Sequence, residues 1–165
     1  MTIRSLVTAA AVLALAACGN TPPAPDWQMN AKASAERATQ AWLTGDQRVE
    51  AAEFARARRE VASTGQPALL ARVELLRCAG RVAALDVGPC AGFDALAADA
   101  APAEQAYARY LAGRSTAADA TLLPEVHRPF AAGSASPDAA LAAIADPLSR
   151  LVAAGVLFQR SQATP

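Results

Sequence analysis

The side chains best suited to covalent, acid–base or metal chemistry are three cysteines and a single histidine. The cysteines are Cys18, Cys78 and Cys90, and the histidine is His127. An acid–base role for His127 would need a nucleophile or a second positioned partner, and the neighbouring sequence offers neither. A zinc site would need a close-set pair of ligands and further His or Cys residues. The sequence therefore predicts no catalytic residue, no metal site and no cofactor.

Residues 1–17 have the pattern of a secretory signal. Arg4 precedes an apolar stretch over residues 6–17, which is shorter than the ~20 residues that span a bilayer. The ending Leu-Ala-Ala-Cys18 resembles the lipobox of bacterial lipoproteins. The resemblance implies cleavage before Cys18, a diacylglyceryl group on its sulfur and insertion of the acyl chains into a lipid bilayer. Gly19 follows, and in lipoproteins of this type that implies the outer membrane of a Gram-negative cell, facing the periplasm.

The alternative for this region is an ordinary secretory signal followed by an incidental cysteine. If Cys18 is lipidated, residues 18–26 form a Pro-rich tether. Such a segment extends about 3.1 Å per residue, so the folded body would lie within about 30 Å of the bilayer. We expect one helical domain over residues 27–158 and a frayed tail over residues 159–165.

With Cys18 lipidated, Cys78 and Cys90 remain as an even pair in an oxidising compartment. We therefore predict a Cys78–Cys90 disulfide, stabilising the fold by about 3 kcal/mol in the chain-entropy model. The chain must double back after a helix that carries Cys78, and Gly88-Pro89 can make that turn.

The composition favours an all-α fold, a compact antiparallel bundle of about five to seven helices. Good helix formers prevail, and alternating β-branched and aromatic runs are absent. Fifteen basic and fifteen acidic side chains cancel, which argues against nucleic acid as a partner. Periodicity and capping signals predict helices at 27–44, 47–63, 67–85, 102–113, 137–144 and 147–158, with short helical pieces at 117–122 and 125–130.

The segment 67–85 is predicted to be the central helix, because it is apolar around most of its circumference. Leu69, Val73 and Leu76 begin one apolar stripe, and only Glu74, Arg77 and Arg81 form a polar band. The two helices before it resemble half of a tetratricopeptide unit. That resemblance rests on the Gly45-Asp46 turn and on Phe54 and Ala57, and without a second copy it implies a helical hairpin.

Arg58 falls within the expected inner face of the second helix, formed by Ala51, Phe54, Ala55, Val61 and Ala62. Because a lone buried arginine is costly, we predict either a buried ion pair between Arg58 and Glu74 or an arginine head that reaches water. Five aromatic side chains are candidates for ligand or partner contact, although core packing is the simpler interpretation. They are Trp42, Phe93, Tyr107, Tyr110 and Phe130.

These features favour a non-catalytic interaction or structural module of the cell envelope that contacts an envelope protein. A carrier or sensor of a small apolar ligand, bound between helices by those aromatic residues, is the alternative. An enzyme that uses His127 is a third hypothesis.

Overall fold

The computed structural model describes residues 23–133 and 136–162, and this part of the chain is all-helical, as predicted. Cys18 and the signal sequence lie outside the described residues. Within these residues there are seven α-helices and two 3₁₀ helices. Their bounds are α1 Asp26–Leu43, α2 Gln47–Ala62, α3 Pro67–Ala83, α4 Ala91–Asp94, α5 Pro102–Leu111, the 3₁₀ helices Ala117–Leu122 and Glu125–Phe130, α6 Pro137–Ala142 and α7 Pro147–Gln159. The main hydrophobic core is built from side chains between Ala71 and Leu157, and the first two helices pack on each other and on the third.

Helices α1 and α2 form the predicted hairpin. Gly45 has a φ of +81°, a left-handed conformation that glycine adopts at little cost, and Asp46 caps α2 by accepting a hydrogen bond from the Val49 amide at 3.0 Å. Helix α1 begins at Asp26, and Pro25 before it provides no side-chain cap. Small side chains on α1 allow α2 to approach closely. The buried residues of α1 are Ala31, Ser34, Ala35, Ala38 and Ala41.

The inner face of α2 differs from the prediction. Glu50, Phe54, Ala57 and Val61 are buried, whereas Ala51 and Ala62 are exposed. The Glu50 carboxylate therefore lies on the inner face, where the sequence predicts alanine. It can be buried there because Arg77 of α3 pairs with it.

Helix α3 contacts α1, α2, α4, α5 and α7, so it is the central helix, as predicted. The details of its faces differ from the prediction. Leu76 is 38% exposed, and Glu74, expected in the polar band, is only 5% exposed. The core takes the stripe formed by Ala71, Leu75, Cys78, Ala79 and Val82.

Helix α7 packs against α3 at a point of close backbone approach. A Cβ atom at Gly155 would overlap the carbonyl oxygen of Val82, so only glycine fits there. Asp146 caps α7 through the Ser149 amide at 2.7 Å. The helix buries its Val152, Ala153 and Val156 side chains in the core.

Gln159 at the end of α7 and Arg160 just after it are held by hydrogen bonds, although the sequence predicts fraying from residue 159. Gln159 donates a hydrogen bond to the Leu111 carbonyl at 2.9 Å. The Arg160 guanidinium donates to five oxygen atoms at 2.7–3.0 Å, four of them backbone carbonyls. The prediction of a frayed tail is therefore wrong for Gln159 and Arg160, because carbonyl groups left free at the ends of other helices bind them.

Candidate functional site: the disulfide groove

The Cys78–Cys90 disulfide, confirmed by a Cα–Cα distance of 5.9 Å, folds the chain back after α3. Residues 84–101 then lie between the end of α3 and the start of α5. An open cavity of about 1240 Å³ runs between these three segments, and we call it the disulfide groove. Its volume exceeds the roughly 300–1,000 Å³ of small-molecule pockets.

One wall of the disulfide groove is a stripe on α5. Gln105, Ala108, Arg109 and Ala112 recur at i, i+3, i+4 and i+7, so they project from one side of the helix and its C-terminal end. The alanines leave room that larger side chains would fill. The Gln105 amide donates to the Ala100 carbonyl at 2.9 Å, which fixes this wall to the connecting segment.

The facing wall combines the end of α3 with the connecting segment. Cys78, Arg81 and Val82 line it from α3, and residues 86–90 continue it past the helix end. Phe93, 5% exposed, reaches from α4 into both the core and the groove. We call the apolar part of the lining, which includes Val82, Phe93, Ala97 and Leu111, the apolar floor; the remaining lining includes five charged side chains.

Three arginines and two aspartates line the groove. Arg81 pairs with Asp86 at 3.2 Å. Arg109 pairs with buried Asp119 beyond the groove, and this bond lowers the pKa of Asp119 to about 2. Arg114 and Asp94 form no ion pair within residues 23–133 and 136–162. The lining thus carries more positive than negative side chains, and one arginine is free to bind an anion.

Glu74 lies directly under the connecting segment. Its Oε1 atom is 2.7 Å from Arg58 Nε, so the expected partners are in contact, although the angle is not that of a hydrogen bond. The Arg58 side chain is 47% exposed, which means that its head also reaches water. Burial raises the pKa of Glu74, and the nearby arginines oppose that rise. A Cβ at Gly92 would overlap Glu74 Oε2, so the glycine seals the carboxyl group.

The five aromatic candidates do not line one cavity. Phe93 alone borders the disulfide groove. Trp42 binds α1 to α3, since its Nε1 donates to the Gly80 carbonyl at 3.0 Å. Tyr110 and Phe130 are fully buried in the core, and half-buried Tyr107 stacks on Tyr110 with ring centroids 5.9 Å apart.

His127 is enclosed against these tyrosines and lies outside the groove. Its Nδ1 atom is 3.2 Å from the Tyr110 hydroxyl, and its side chain is buried. Burial lowers the pKa of His127 to about 4, so the ring is neutral at pH 7. Asp146 acts on it only at a distance, because that carboxylate caps α7.

Within the described residues no group of three or more His, Cys, Asp or Glu side chains has a geometry that could hold a metal ion. The same residues contain no helix that is both long and apolar enough to cross a bilayer.

No family model, curated protein or solved structure matches this chain.

Three features of the site were not predicted from the sequence. These are the groove itself, the hydrogen bonds from Arg160 to five oxygen atoms, and three further ion pairs that cover buried carboxylates, Arg77–Glu50, Arg72–Glu104 and Arg109–Asp119. The i, i+3, i+4, i+7 spacing on α5 was the available signal for the groove. In an Ala-rich helix that spacing stands out poorly, because alanine suits both core and surface.

Proposed function

We propose that this chain is a lipid-anchored periplasmic lipoprotein of the outer membrane that acts as a non-catalytic interaction module. In this proposal Cys18 carries the acyl chains, and the disulfide groove binds an acidic segment of an envelope protein. The groove is the observation that carries the assignment. An apolar floor between two helical elements suits the apolar side of a peptide, and the arginines suit its carboxylates.

The free charge on Arg114 supports an acidic partner. Arg81 and Arg109 are already paired with Asp86 and Asp119, whereas the exposed Arg114 side chain has no carboxylate partner in the described part of the chain. A partner carboxylate would gain a charge-assisted bond there without breaking an internal one.

A photo-crosslinking amino acid at position 98 tests the groove in cells. Ala98 is exposed and lines the groove, while Ala52, exposed on α2 and outside it, is the matched control position. We expect position 98 to give a recurrent adduct with one envelope protein, and position 52 to give none. Arg114→Glu should abolish that adduct, whereas Arg48→Glu, on exposed α2 surface, should leave it intact. Equal adducts at both positions would overturn the proposal.

The anchor has its own test. Mass spectrometry of the mature N-terminal peptide should show acyl groups on Cys18, and Cys18→Ser should move the protein from the outer-membrane fraction to the soluble periplasm. An unmodified Cys18 in membrane fractions would exclude the lipid anchor and leave the groove assignment standing.

A small apolar ligand is the second candidate, and the apolar floor beside Phe93 is the observation in its favour. Phe130 and Tyr110, proposed for such a site, are instead fully buried in the core. A ligand of this kind would compete with a fluorescent fatty acid for the groove, and Ala98→Trp would weaken its binding while Ala52→Trp would not.

A further inference from the structure

The connecting segment, residues 84–101, provides nearly half of the side chains that line the disulfide groove. Its first part, residues 86–90, forms a continuous stretch of the wall. Any movement of this stretch away from α3 would change the width of the groove and the position of Asp86. The shape of the groove therefore depends on what holds the segment in place.

Few interactions hold the first part of the segment. In the described part of the chain, residues 87–92 make no hydrogen bond or ion pair to helices α1–α3 or α5–α7. The Cys90 and Ala91 carbonyls accept hydrogen bonds only from the Asp94 and Ala95 amides, four residues later in the chain. Val87 is 46% exposed. Asp86, where this part begins, is held to α3 by its ion pair with Arg81 and by a hydrogen bond from its amide to the Arg81 carbonyl. Beyond Asp86, the disulfide at Cys90 and the buried Phe93 ring are the main attachments.

The buried carboxyl group of Glu74, which lies beneath the segment, favours release of the segment from α3. Glu74 is 5% exposed and lies under Gly92. Lifting Gly92 would let water reach a carboxyl group whose pKa is raised by burial, and ionisation would then cost less. Arg58, already half-exposed beside Glu74, would remain its partner in the opened state.

The sulfur atoms can be reached from the groove. Cys78 and Cys90 both line it, and Cys90 is half-buried. A thiolate approaching through the groove can therefore attack Cys90 without prior unfolding, which is the access that thiol–disulfide exchange requires.

We propose that the Cys78–Cys90 bond is a redox switch for the disulfide groove. A dithiol oxidoreductase attacks Cys90 Sγ, a mixed disulfide forms, and Cys78 leaves as a thiolate. The second thiol of the oxidoreductase then displaces Cys90. Two electrons and two protons pass to the cysteine pair, and the oxidoreductase leaves as its own disulfide. Residues 84–92 then detach from α3, so the wall of the groove is lost and Glu74 is uncovered. The inference rests on the proposed function only for the identity of what the groove releases.

Hydrogen–deuterium exchange of the full-length protein in detergent, with and without dithiothreitol, tests the switch. On reduction we expect exchange within residues 84–92 to rise by about ten-fold or more at the Ala84, Leu85 and Asp86 amides, which donate to α3 carbonyls, while α1 and α2 keep their protection. Unchanged exchange across 84–92 would overturn the proposal. A rise throughout the protein would also overturn it, since the bond would then be a staple for the whole fold.

Two variants test the roles of the disulfide and of Glu74 separately. Cys78→Ala/Cys90→Ala should show the open pattern without reductant. Glu74→Gln, once reduced, should keep more protection across 84–92 than the reduced wild type, because the buried carboxylate no longer favours opening. Equal protection in both would remove Glu74 from the switch.

The proposed envelope partner and the proposed redox switch can be tested independently of each other. If position 98 gives no adduct but reduction opens residues 84–92, the switch holds and the envelope partner does not. If the adduct forms equally well when the protein is reduced before irradiation, the partner holds and the switch does not.

Discussion

Arg77 on α3 binds Glu50 on α2 through two hydrogen bonds, Nε to Oε1 at 2.7 Å and Nη2 to Oε2 at 3.0 Å. Glu50 is 5% exposed, whereas the Arg77 side chain is 39% exposed. The guanidinium also lies 4.3 Å from the centre of the Phe54 ring. A buried acid is thus covered by an arginine whose head still meets water, and the same asymmetry recurs at Arg72–Glu104 and Arg58–Glu74.

This asymmetry predicts unequal effects of removing either partner. Arg77→Met should lower the free energy of unfolding by about 2 kcal/mol, because it leaves the Glu50 carboxylate buried without a partner; partial exposure of Arg77 keeps the cost below that of a fully buried pair. Glu50→Gln should cost about 1 kcal/mol, since the arginine left behind can hydrate. Urea denaturation at pH 7 measures both.

Arg81→Met is the control, because its pair with Asp86 lies at the surface and should contribute below about 1 kcal/mol. If Glu50→Gln proved the more damaging of the two, burial of the acid would not be what the arginine compensates.

The crossing of α7 and α3 depends on Gly155. Gly155→Ala should destabilise the protein by about 2 kcal/mol or more, because the new methyl group overlaps the Val82 carbonyl and backbone must move to relieve it. Gly88→Ala is the matched control, since nothing lies within 4 Å of its added Cβ and its φ is not in the left-handed region. Thermal unfolding followed by circular dichroism compares them. A Gly155→Ala protein as stable as Gly88→Ala would mean that the two helices can separate at little cost.

Local signals explain which parts of the fold could be predicted from the sequence. The Gly45-Asp46 turn, Pro67 and the Asp146-Pro147 pair mark helix ends, and each depends on a few neighbouring residues. The two short helical pieces were expected at residues 117–122 and 125–130, where the 3₁₀ helices lie.

The burial of acidic residues could not be predicted in the same way. Hydrophobic periodicity assigns Glu50 and Glu74 to the surface, yet both are buried because arginines on neighbouring helices pair with them. Leu76 shows the converse, an apolar residue that periodicity placed inside and that is 38% exposed. Which of two adjacent stripes on α3 enters the core is decided by contacts with other helices, and these are not visible in a single helix.

Arg160, the residue after α7, binds oxygen atoms of residues 113–115 and 130–131. Arg160→Lys should lower the free energy of unfolding by about 2 kcal/mol, because an ammonium group cannot reproduce the planar fork that reaches the Gly113, Ser115, Phe130 and Ala131 oxygens together. Hydrogen–deuterium exchange around residues 113–115 and 130–131 should rise in the same variant. Arg59→Lys, exposed on α2, is the control and should change neither the free energy of unfolding nor the exchange. If Arg160→Lys kept the full stability, the set of guanidinium hydrogen bonds would not stabilise the fold.

Burial of His127 predicts that the protein loses stability in mild acid. In the unfolded chain the imidazole has its ordinary pKa of 6.5, whereas burial lowers the pKa to about 4 in the folded protein. Between these values the unfolded state binds the extra proton, so the stabilising contribution is complete above pH 6.5 and is lost as the pH falls toward 4. At about 1.4 kcal/mol per pKa unit, the loss is on the order of 3 kcal/mol.

Glu74 acts in the opposite direction, because its raised pKa favours the folded state in acid and that contribution disappears as the pH rises. Urea denaturation at pH 4.5, 5.5 and 7.0 should therefore show a smaller loss toward acid in His127→Phe than in wild type, and a larger one in Glu74→Gln. Parallel profiles for wild type and His127→Phe would show that the buried ring does not govern the acid response.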